Sequence, residues 1–428
     1  MSSDEIDRGQ AGGRYSGGAP GTAASGRPAV TGTPAVTGTP AAPAHPAAPA
    51  NPAATGNPGA NLPALRGHNA ALVLGLLRAA GERGLSRLEL AADTGLTPQA
   101  VSKITARLRA EGLAVEAGRR ASTGGKPATV LRLVPGARYA VGLHLDRDEL
   151  IAVLADLTGA AVAVRRAPLA FEAGAGPVLD TAARKVTALR AEAGGPPVLG
   201  AGVACPGPLD HAAGVLHRVT GAPQWDGFPL RDALAERLGL PVVLDKDTNA
   251  AALGLAQGMP AGAGSFGYLH LGTGLGAGLV LGGSLYRGPR TGAGEFGHQT
   301  VQWDGPRCGC GRRGCIEALC LAAVARGDLP GAAAVLGAGA ANLVELLDID
   351  RVLLGGRTVL ENPDGFRTGV AEALGGQARA RGRAPVPVAL ARGGAQVVAD
   401  GAAELVLAPL FGARGASLGA AGTPSAGA

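Results

Sequence analysis

Aromatic side chains are few, 3% of the 428 residues, and lysine is scarce beside arginine. Glycine (72) and proline (31) are heavily used instead. With alanine and arginine they look like the product of a high-GC genome, so the wealth of small residues carries no functional message by itself. No uninterrupted apolar run reaches the roughly 20 residues needed to span a bilayer. The chain opens Met-Ser-Ser-Asp-Glu, with no basic segment ahead of an apolar one. Neither a membrane span nor a secretory signal is expected. Cysteine is limited to five residues, three of them between 308 and 315. That cluster reads as a metal site in a reducing cytoplasm rather than as disulfides.

What is present is unevenly spread. The length allows two or three domains and a sizeable core. Residues 61–134 hold eleven Lys/Arg against five Asp/Glu, while the segments before and after are balanced. The whole net charge of +6 therefore sits in one small segment, the footprint of a polyanion-binding module on a neutral body. Residues 1–60 are low-complexity Pro/Ala/Gly sequence with almost no Leu, Ile or Phe, and predict a disordered tail. From about Arg138, β-rich runs (YAVGLHLD, LIAVLADLTG, AVAVRRAPL, VLGAGVACPG, PVVLDKD, SFGYLHLGTG, AGLVLGG, RVLLGG) alternate with amphipathic helical stretches. That alternation predicts an α/β domain.

The basic segment has an order of its own. Leu72, Leu76 and Leu77 are spaced for a first helix over 69–80. Ser86 and Glu89 form a capping box that opens a second helix, and Gly95 ends it. Thr97 caps a third helix with Pro98 at its first position, where a missing N–H costs nothing. Val101, Ile104 and Leu108 make that helix's apolar stripe. Gln99, Ser102 and Lys103 lie on its opposite face, near the end that enters the major groove in helix-turn-helix proteins, and Arg107 follows one turn on. Two short β-prone runs then flank RRASTGGK, the shape of a wing whose Arg119, Arg120 and Lys126 can meet phosphates. Helix, turn, capped helix and basic hairpin in one charged segment point to double-stranded DNA as a partner.

Two motifs carry chemistry further along. Cys308, Cys310 and Cys315 follow His298 by about ten residues, and three thiolates with one imidazole are a normal tetrahedral zinc set. All four ligands would come from protein, leaving no position for water, so a zinc there is structural. Cys205 and Cys320 fall outside the pattern. The run 271–283, LGTGLGAGLVLGG, is a glycine-rich turn between strands; Gly272, Thr273, Gly274 and Gly276 could cradle phosphate through backbone amides, a weak signal in so glycine-rich a chain.

Over roughly 62–420 the chain resembles the ROK proteins, which comprise repressors, uncharacterised reading frames and sugar kinases. The resemblance is carried by SRLELAADTGLTPQAVSKITARLRAEGL with STGGKPA, by CPGPLD, KDTNAAALG and LGTGLGAGL, and most specifically by TGAGEFGH followed by CGCGRRGCIE. It is similar above all to the repressor branch, xylose repressors among them, because the kinases usually lack a fused winged helix. The resemblance implies an α/β fold with an N-terminal winged helix-turn-helix (61–134) and a two-lobed actin-like, ribonuclease H-like sugar-kinase fold (138–420, lobes roughly 138–246 and 247–420), then a flexible end at 421–428. It implies His298, Cys308, Cys310 and Cys315 as zinc ligands, and Glu295, His298 and Glu317 as contacts to sugar hydroxyls. Asp247 stands at the family's catalytic-base position. A DNA operator, a sugar or sugar derivative, and assembly as a homodimer or homotetramer in the cytoplasm follow from the same resemblance.

Departures from the family pattern bear on chemistry. The kinases open with D-x-G-G-T around the nucleotide phosphates; here the run is Gly142-Leu143-His144-Leu145-Asp146-Arg147-Asp148. Side chains replace loop glycines, and two aspartates would repel a polyphosphate. ATP is therefore not an expected cofactor, and Asp247 is expected to accept a ligand hydroxyl without turnover. Lys246 replaces the asparagine before Asp247, and Gly221 replaces another upstream. Lys246 either pairs with Asp247, making it a poorer base, or selects an anionic ligand such as a sugar acid or sugar phosphate. Only some twenty-four residues separate Glu317 from the helix expected at ANLVELLD, which leaves the second lobe's helical layer open. The reading is a sequence-specific regulator, a repressor, controlled by a sugar-type effector. Its rivals are an ATP-dependent sugar kinase, alone or alongside DNA binding, and a regulator that has lost ligand sensing.

Overall fold

The computed structural model describes residues 62–120, 127–194, 197–259 and 264–412. The tail expected over 1–60, the end expected at 421–428, and Lys126 lie outside the described residues.

The first element, α1 (Leu62–Ala80), starts earlier than the periodic run suggested. It buries Ala70, Val73, Leu74 and Leu77, whereas Leu72 and Leu76 are half-buried at its flank. A short β1 (Leu85–Ser86) leads into α2 (Arg87–Thr94), whose capping box forms: Glu89 N donates to Ser86 Oγ and Ser86 N to Glu89 Oε2. Gly95 closes α2 in the left-handed region, φ 69°, where a side chain would be strained. Helix α3 (Pro98–Ala110) follows, with Thr97 Oγ1 accepting from Ala100 N. Strands β2 (Ala114–Arg120) and β3 (Ala128–Leu133) pair antiparallel, and β1 adds to the free side of β3. That third strand has no periodic signal, because two residues are too few to show one.

The body contains the same sheet twice. In the first lobe β4 (Tyr139–Leu145), β5 (Glu149–Asp156) and β6 (Ala161–Pro168) form an antiparallel meander. Helix α4 (Ala175–Glu192) crosses to β7 (Val198–Cys205), parallel to β4. The small hairpin β8 (Leu209–Asp210) and β9 (Val215–Leu216), then α5 (Leu230–Leu238), precede β10 (Val242–Lys246), parallel to β7. Helix α6 (Asp247–Gln257) leads to the second lobe. There β11 (Phe266–Leu271), β12 (Leu275–Leu281) and β13 (Ser284–Leu285) repeat the meander. Helices α7 (Ile316–Ala325) and α8 (Leu329–Leu347) come next, then β14 (Arg351–Gly355). After α9 (Arg357–Glu361) and α10 (Pro363–Ala380), β15 (Val388–Leu390) completes the sheet. Strands β11, β14 and β15 run parallel. Both sheets have the order third–second–first–fourth–fifth.

The helical layer of the second lobe is intact despite the short spacing after Glu317. ANLVELLD is only the C-terminal half of α8, which starts at Leu329 and packs against α7 and α10. By length and composition α8 and residues 394–411 would suit a bilayer. In the fold, Ala332, Leu336 and Ala340 of α8 and nearly all of the last helix are buried in protein.

That last helix, α11 (Val397–Leu407), returns to the first lobe and does not end the second. A Cβ at Gly202 of β7 would stand 1.8 Å from Ala402 O, and one at Gly401 would stand 2.0 Å from Ala250 O of α6. Glycine is what lets α11 lie this close to sheet and helix. Gly401→Val should force α6 and α11 apart and cost about 1–3 kcal/mol, read as a lower urea midpoint; an unchanged midpoint would contradict the contact. On its other side α11 joins α1: Val73, Leu74 and Leu77 share one core with Ile151, Val153, Ala399, Ala403 and Val406. Arg78 seals this seam. It pairs with Glu404, donates to Thr158 O (3.1 Å from Nε), and lies 4.6 Å from the Phe411 ring centroid.

Candidate functional site

The two β10-to-α6 and β11-to-β12 junctions face each other across a cleft of about 110 Å³. That is below the usual range of roughly 300–1,000 Å³ for ligand pockets, so the two junctions stand close together around it. A larger cavity, about 740 Å³, lies away from it, at the seam where α1, the β5–β6 turn, α6 and α11 meet. The cleft holds the chemistry: Lys246, Asp247, Glu295, His298 and Glu317 all line it, together with Thr273, Gly274 and Gly276. Gly272 does not. Asp146, Arg147, Thr220, Thr248 and His270 line it too, and the sequence reading had not placed them there as ligand contacts.

Asp247 occupies the first turn of α6. Thr248 N donates to its Oδ1 at 2.6 Å. Burial pushes its carboxyl above the ordinary value, against the opposing pull of His270. Lys246 does not pair with Asp247. Its ammonium donates to Ala293 O at 2.5 Å and to Glu295 Oε1 at 3.1 Å, with only 4% of the side chain exposed. The junction is held by Asp245 beneath it, which accepts from Lys246 N, Asn249 Nδ2 and Arg287 Nε. The Arg287–Asp245 pair is buried and joins β10 to the segment after β13. Breaking one partner of such a pair strands a charge in the interior. Nothing local in the sequence marks the pair, whose members stand 42 residues apart.

The glycine-rich run has a different use from phosphate binding at its far end. A Cβ at Gly278 would lie 2.1 Å from Thr248 O, and one at Gly276 3.0 Å from Thr248 Cγ2, so these positions are empty because α6 crosses β12 there. In the turn itself, Gly272 N is taken by Gly274 O and Leu275 N by Glu317 Oε2.

The loop after β4 is laced with protein charge. Arg357, at the start of α9, makes a bidentate pair with Asp148 (2.8 and 2.9 Å) and lies 3.7 Å from Asp146. The guanidinium holds the Asp148 carboxyl below its ordinary value. Thr273 Oγ1 donates to Asp146 Oδ1 at 3.0 Å. Half-exposed ion pairs of this kind add little stability, but they tie the loop after β4 to the start of α9. His144 is 5% exposed and its Nδ1 has no partner. Burial drives its pKa down to about 4, against Asp146, so it stays neutral.

Next to the cleft, His298, Cys308, Cys310 and Cys315 converge, with their ligand atoms all within 4.8 Å of one another. Cys310 Sγ is 3.7 Å from Cys315 Sγ, and Cys308 Sγ is 3.7 Å from His298 Nδ1. A tetrahedron with zinc–sulfur bonds of about 2.3 Å has edges of about 3.8 Å, so the donor set fits. The knuckle is built by Cys308 N bonding to Arg312 O and Gly311 N to Cys308 O. Gly314 (φ 60°) is needed at its exit, since a Cβ would collide with Gln302 O. Cys315 leads directly into α7, which carries Glu317 in its first turn, 4.0 Å from His298 Nδ1. The cluster therefore fixes two cleft residues. Cys205 and Cys320 are buried elsewhere, and burial raises both thiols, Cys320 to about 12.

On α3, Val101, Thr105 and Leu108 are buried while Thr97, Gln99, Ser102, Lys103 and Arg107 face outward. The structure separates the basic candidates. Arg120 is spent internally on Glu89 (2.8 Å) and Arg83 O (2.9 Å), and Arg107 pairs with Glu111 one turn on. Lys103 and Arg119 make no ion pair among the described residues.

A ROK hexokinase from Thermus thermophilus is 33% identical to this chain, covering 96% of that protein and 62% of this one with a TM-score of 0.52. The chain belongs to the ROK family. The ROK family model matches residues 141–325. The xylose repressor of Bacillus subtilis is 30% identical over 54% of this chain. The match spans 61% of that repressor's length. A solved ROK family transcriptional regulator, a homolog of the Escherichia coli MLC protein, has a TM-score of 0.63 at 22% identity. It covers 82% of this chain and 97% of its own, a likeness of fold.

Proposed function

We propose that this ROK protein is a DNA-binding transcription regulator, a repressor, whose residues 61–134 form a winged helix-turn-helix and whose cleft senses a sugar-type ligand. The observation that carries this is α3: a capped helix whose outward face offers Gln99, Ser102 and Lys103, beside a strand pair bearing Arg119. Phosphate contacts from Lys103 and Arg119 would position it, and Gln99 and Ser102 would read base edges. The identity to a xylose repressor and a fold likeness reaching beyond residues 138–412 support the same reading. The protein is expected in the cytoplasm, with paired copies on a two-fold operator.

Zinc at His298, Cys308, Cys310 and Cys315 would be structural, clamping the loop and orienting His298 and Glu317 toward the ligand. Asp247, Glu295, His298 and Glu317 would meet sugar hydroxyls. Response to ligand needs a connected two-state element, and α6 and α11 supply the route. Helix α6 starts in the cleft at Asp247, its Gly254 touches Gly401 of α11, and Glu404 of α11 holds Arg78 of α1. The 740 Å³ cavity at that seam leaves α1 room to shift.

Kinase activity is the second reading, favoured by Asp247 with its raised pKa. The Arg357–Asp148 clasp weighs against it. Purified protein should shift a palindromic site near its own gene, with log affinity falling linearly with log salt, and should release no ADP from ATP across a sugar panel. No specific shift on any genomic fragment would refute the regulator; sugar-dependent ADP release lost in Asp247→Asn would establish the kinase.

A further inference from the structure

Among the described residues, the guanidinium of Arg147 in the cleft makes no hydrogen bond or ion pair. Arg147 follows β4, in the loop where the family's kinases have glycine. Its Nη1 lies 2.9 Å from where a Cβ on Gly221 would stand, with Glu172 Oε1 3.7 Å from the same point. Gly221 itself lies at φ 80°, where any side chain is strained, and a Cβ there, where the family's pattern has asparagine, would also make the tip of Arg147 give way. The two departures from the pattern, arginine at 147 and glycine at 221, lie side by side.

The other charges of the cleft are committed. Lys246 belongs to Glu295 and Ala293 O. Asp146 accepts from Thr273 and its own neighbour's amide, and Glu317 accepts from Leu275 N. The Asp247 carboxyl is biased toward its neutral form by burial. Among the described residues the guanidinium of Arg147 makes no hydrogen bond or ion pair. A half-buried guanidinium without an ion pair, lining the same cleft as Asp247, Glu295 and Glu317, is a fork for one more negative group.

We propose that the cleft selects an anionic monosaccharide, a sugar bearing a carboxylate or phosphate group, and that Arg147 reads the anion. The inference rests on the ligand-sensing reading above and adds the class of ligand to it. Lys246, the sequence candidate for this task, is instead part of the wall.

The test uses the full chain in thermal-shift and calorimetric titrations with hexuronates, aldonates and hexose 6-phosphates against the parent neutral sugars. At least one anionic sugar should raise the unfolding midpoint where its neutral parent does not, since a ligand of the native state must stabilise it. The carboxylate and phosphate arms tell which anion is read. Arg147→Leu should weaken that binding about 10- to 100-fold, and Arg147→Lys, which keeps charge but loses the fork, should fall between. Metal content and circular dichroism establish that each variant is folded. A neutral sugar binding equally well to wild type and Arg147→Leu would overturn the anion inference and leave ligand sensing standing. No binding by any compound would overturn both, while operator binding is judged separately by the shift assay.

Discussion

Cys315→Ser should yield protein with little or no bound zinc and an unfolding midpoint lower by roughly 10 °C. The segment 299–314 has almost no core of its own. Val301 and Trp303 point to solvent, the latter 92% exposed, and the only buried positions besides Cys308 are glycines 305 and 314. A loop that buries so little apolar surface cannot offset its ordering entropy, so the four ligands are its staple. Cys315 is fully buried and begins α7. Its replacement therefore removes one of the four bonds to metal at the foot of a core helix. Loss of such a site costs on the order of 4 kcal/mol, and a domain of this size loses about 2–4 °C per kcal/mol. Elemental analysis should find one zinc per chain in wild type and a small fraction of that in the variant. Wild-type protein freshly purified without zinc would end the assignment. Because the knuckle holds His298 and Glu317, the variant should also lose its stabilisation by any sugar that protects wild type.

The second large effect is on DNA. Gln99→Ala and Ser102→Ala should each reduce the preference for the operator over a scrambled duplex, at about 1–3 kcal/mol per base-reading pair. Lys103→Ala should behave differently, weakening both duplexes alike and lowering the salt slope by about one. All three side chains are exposed, whereas Val101 on the opposite face is fully buried. Stability should therefore stay within about 0.5 kcal/mol of wild type. Fluorescence anisotropy on both duplexes at several salt concentrations separates the outcomes. Variants that bind the operator like wild type would mean that α3 is not the reading helix. Arg120 serves as the contrast: its bonds to Glu89 and Arg83 O make it a brace between β2 and α2, so Arg120→Ala should act on stability before it acts on affinity.

What could be read along the chain was whatever depends on near neighbours in sequence. The Ser86–Glu89 capping box, Thr97 with Pro98, the left-handed glycine after α2 and the strand–turn alternation of the body are all set within a few residues. The His/Cys cluster was legible for the same reason, since Cys308, Cys310 and Cys315 lie within one tight turn and His298 stands ten residues ahead of them. Hydrophobic periodicity also placed the apolar face of α3, because burial there follows the helical repeat.

Tertiary structure decided the pairings that span long stretches of chain. Arg357 meets Asp148 across 209 residues, Arg78 meets Glu404 across 326, and Arg287 meets Asp245 across 42. No local pattern selects one carboxylate among thirty-three for a given guanidinium; the fold chooses by bringing two elements together. The same applies to α11, which reads as the end of the second lobe and packs on the first. The scarcity of aromatic residues takes its meaning from this. A chain short of aromatics and rich in glycine builds its core by bringing backbones close, at Gly202, Gly278 and Gly401, and only the fold says which glycines those are. The sequence alone determined the local elements, the clustering of His298 with Cys308, Cys310 and Cys315, and the charged module. The fold determined which charges are paired and which, Arg147 among them, make no ion pair among the described residues, because desolvation and pairing are properties of the assembled interior.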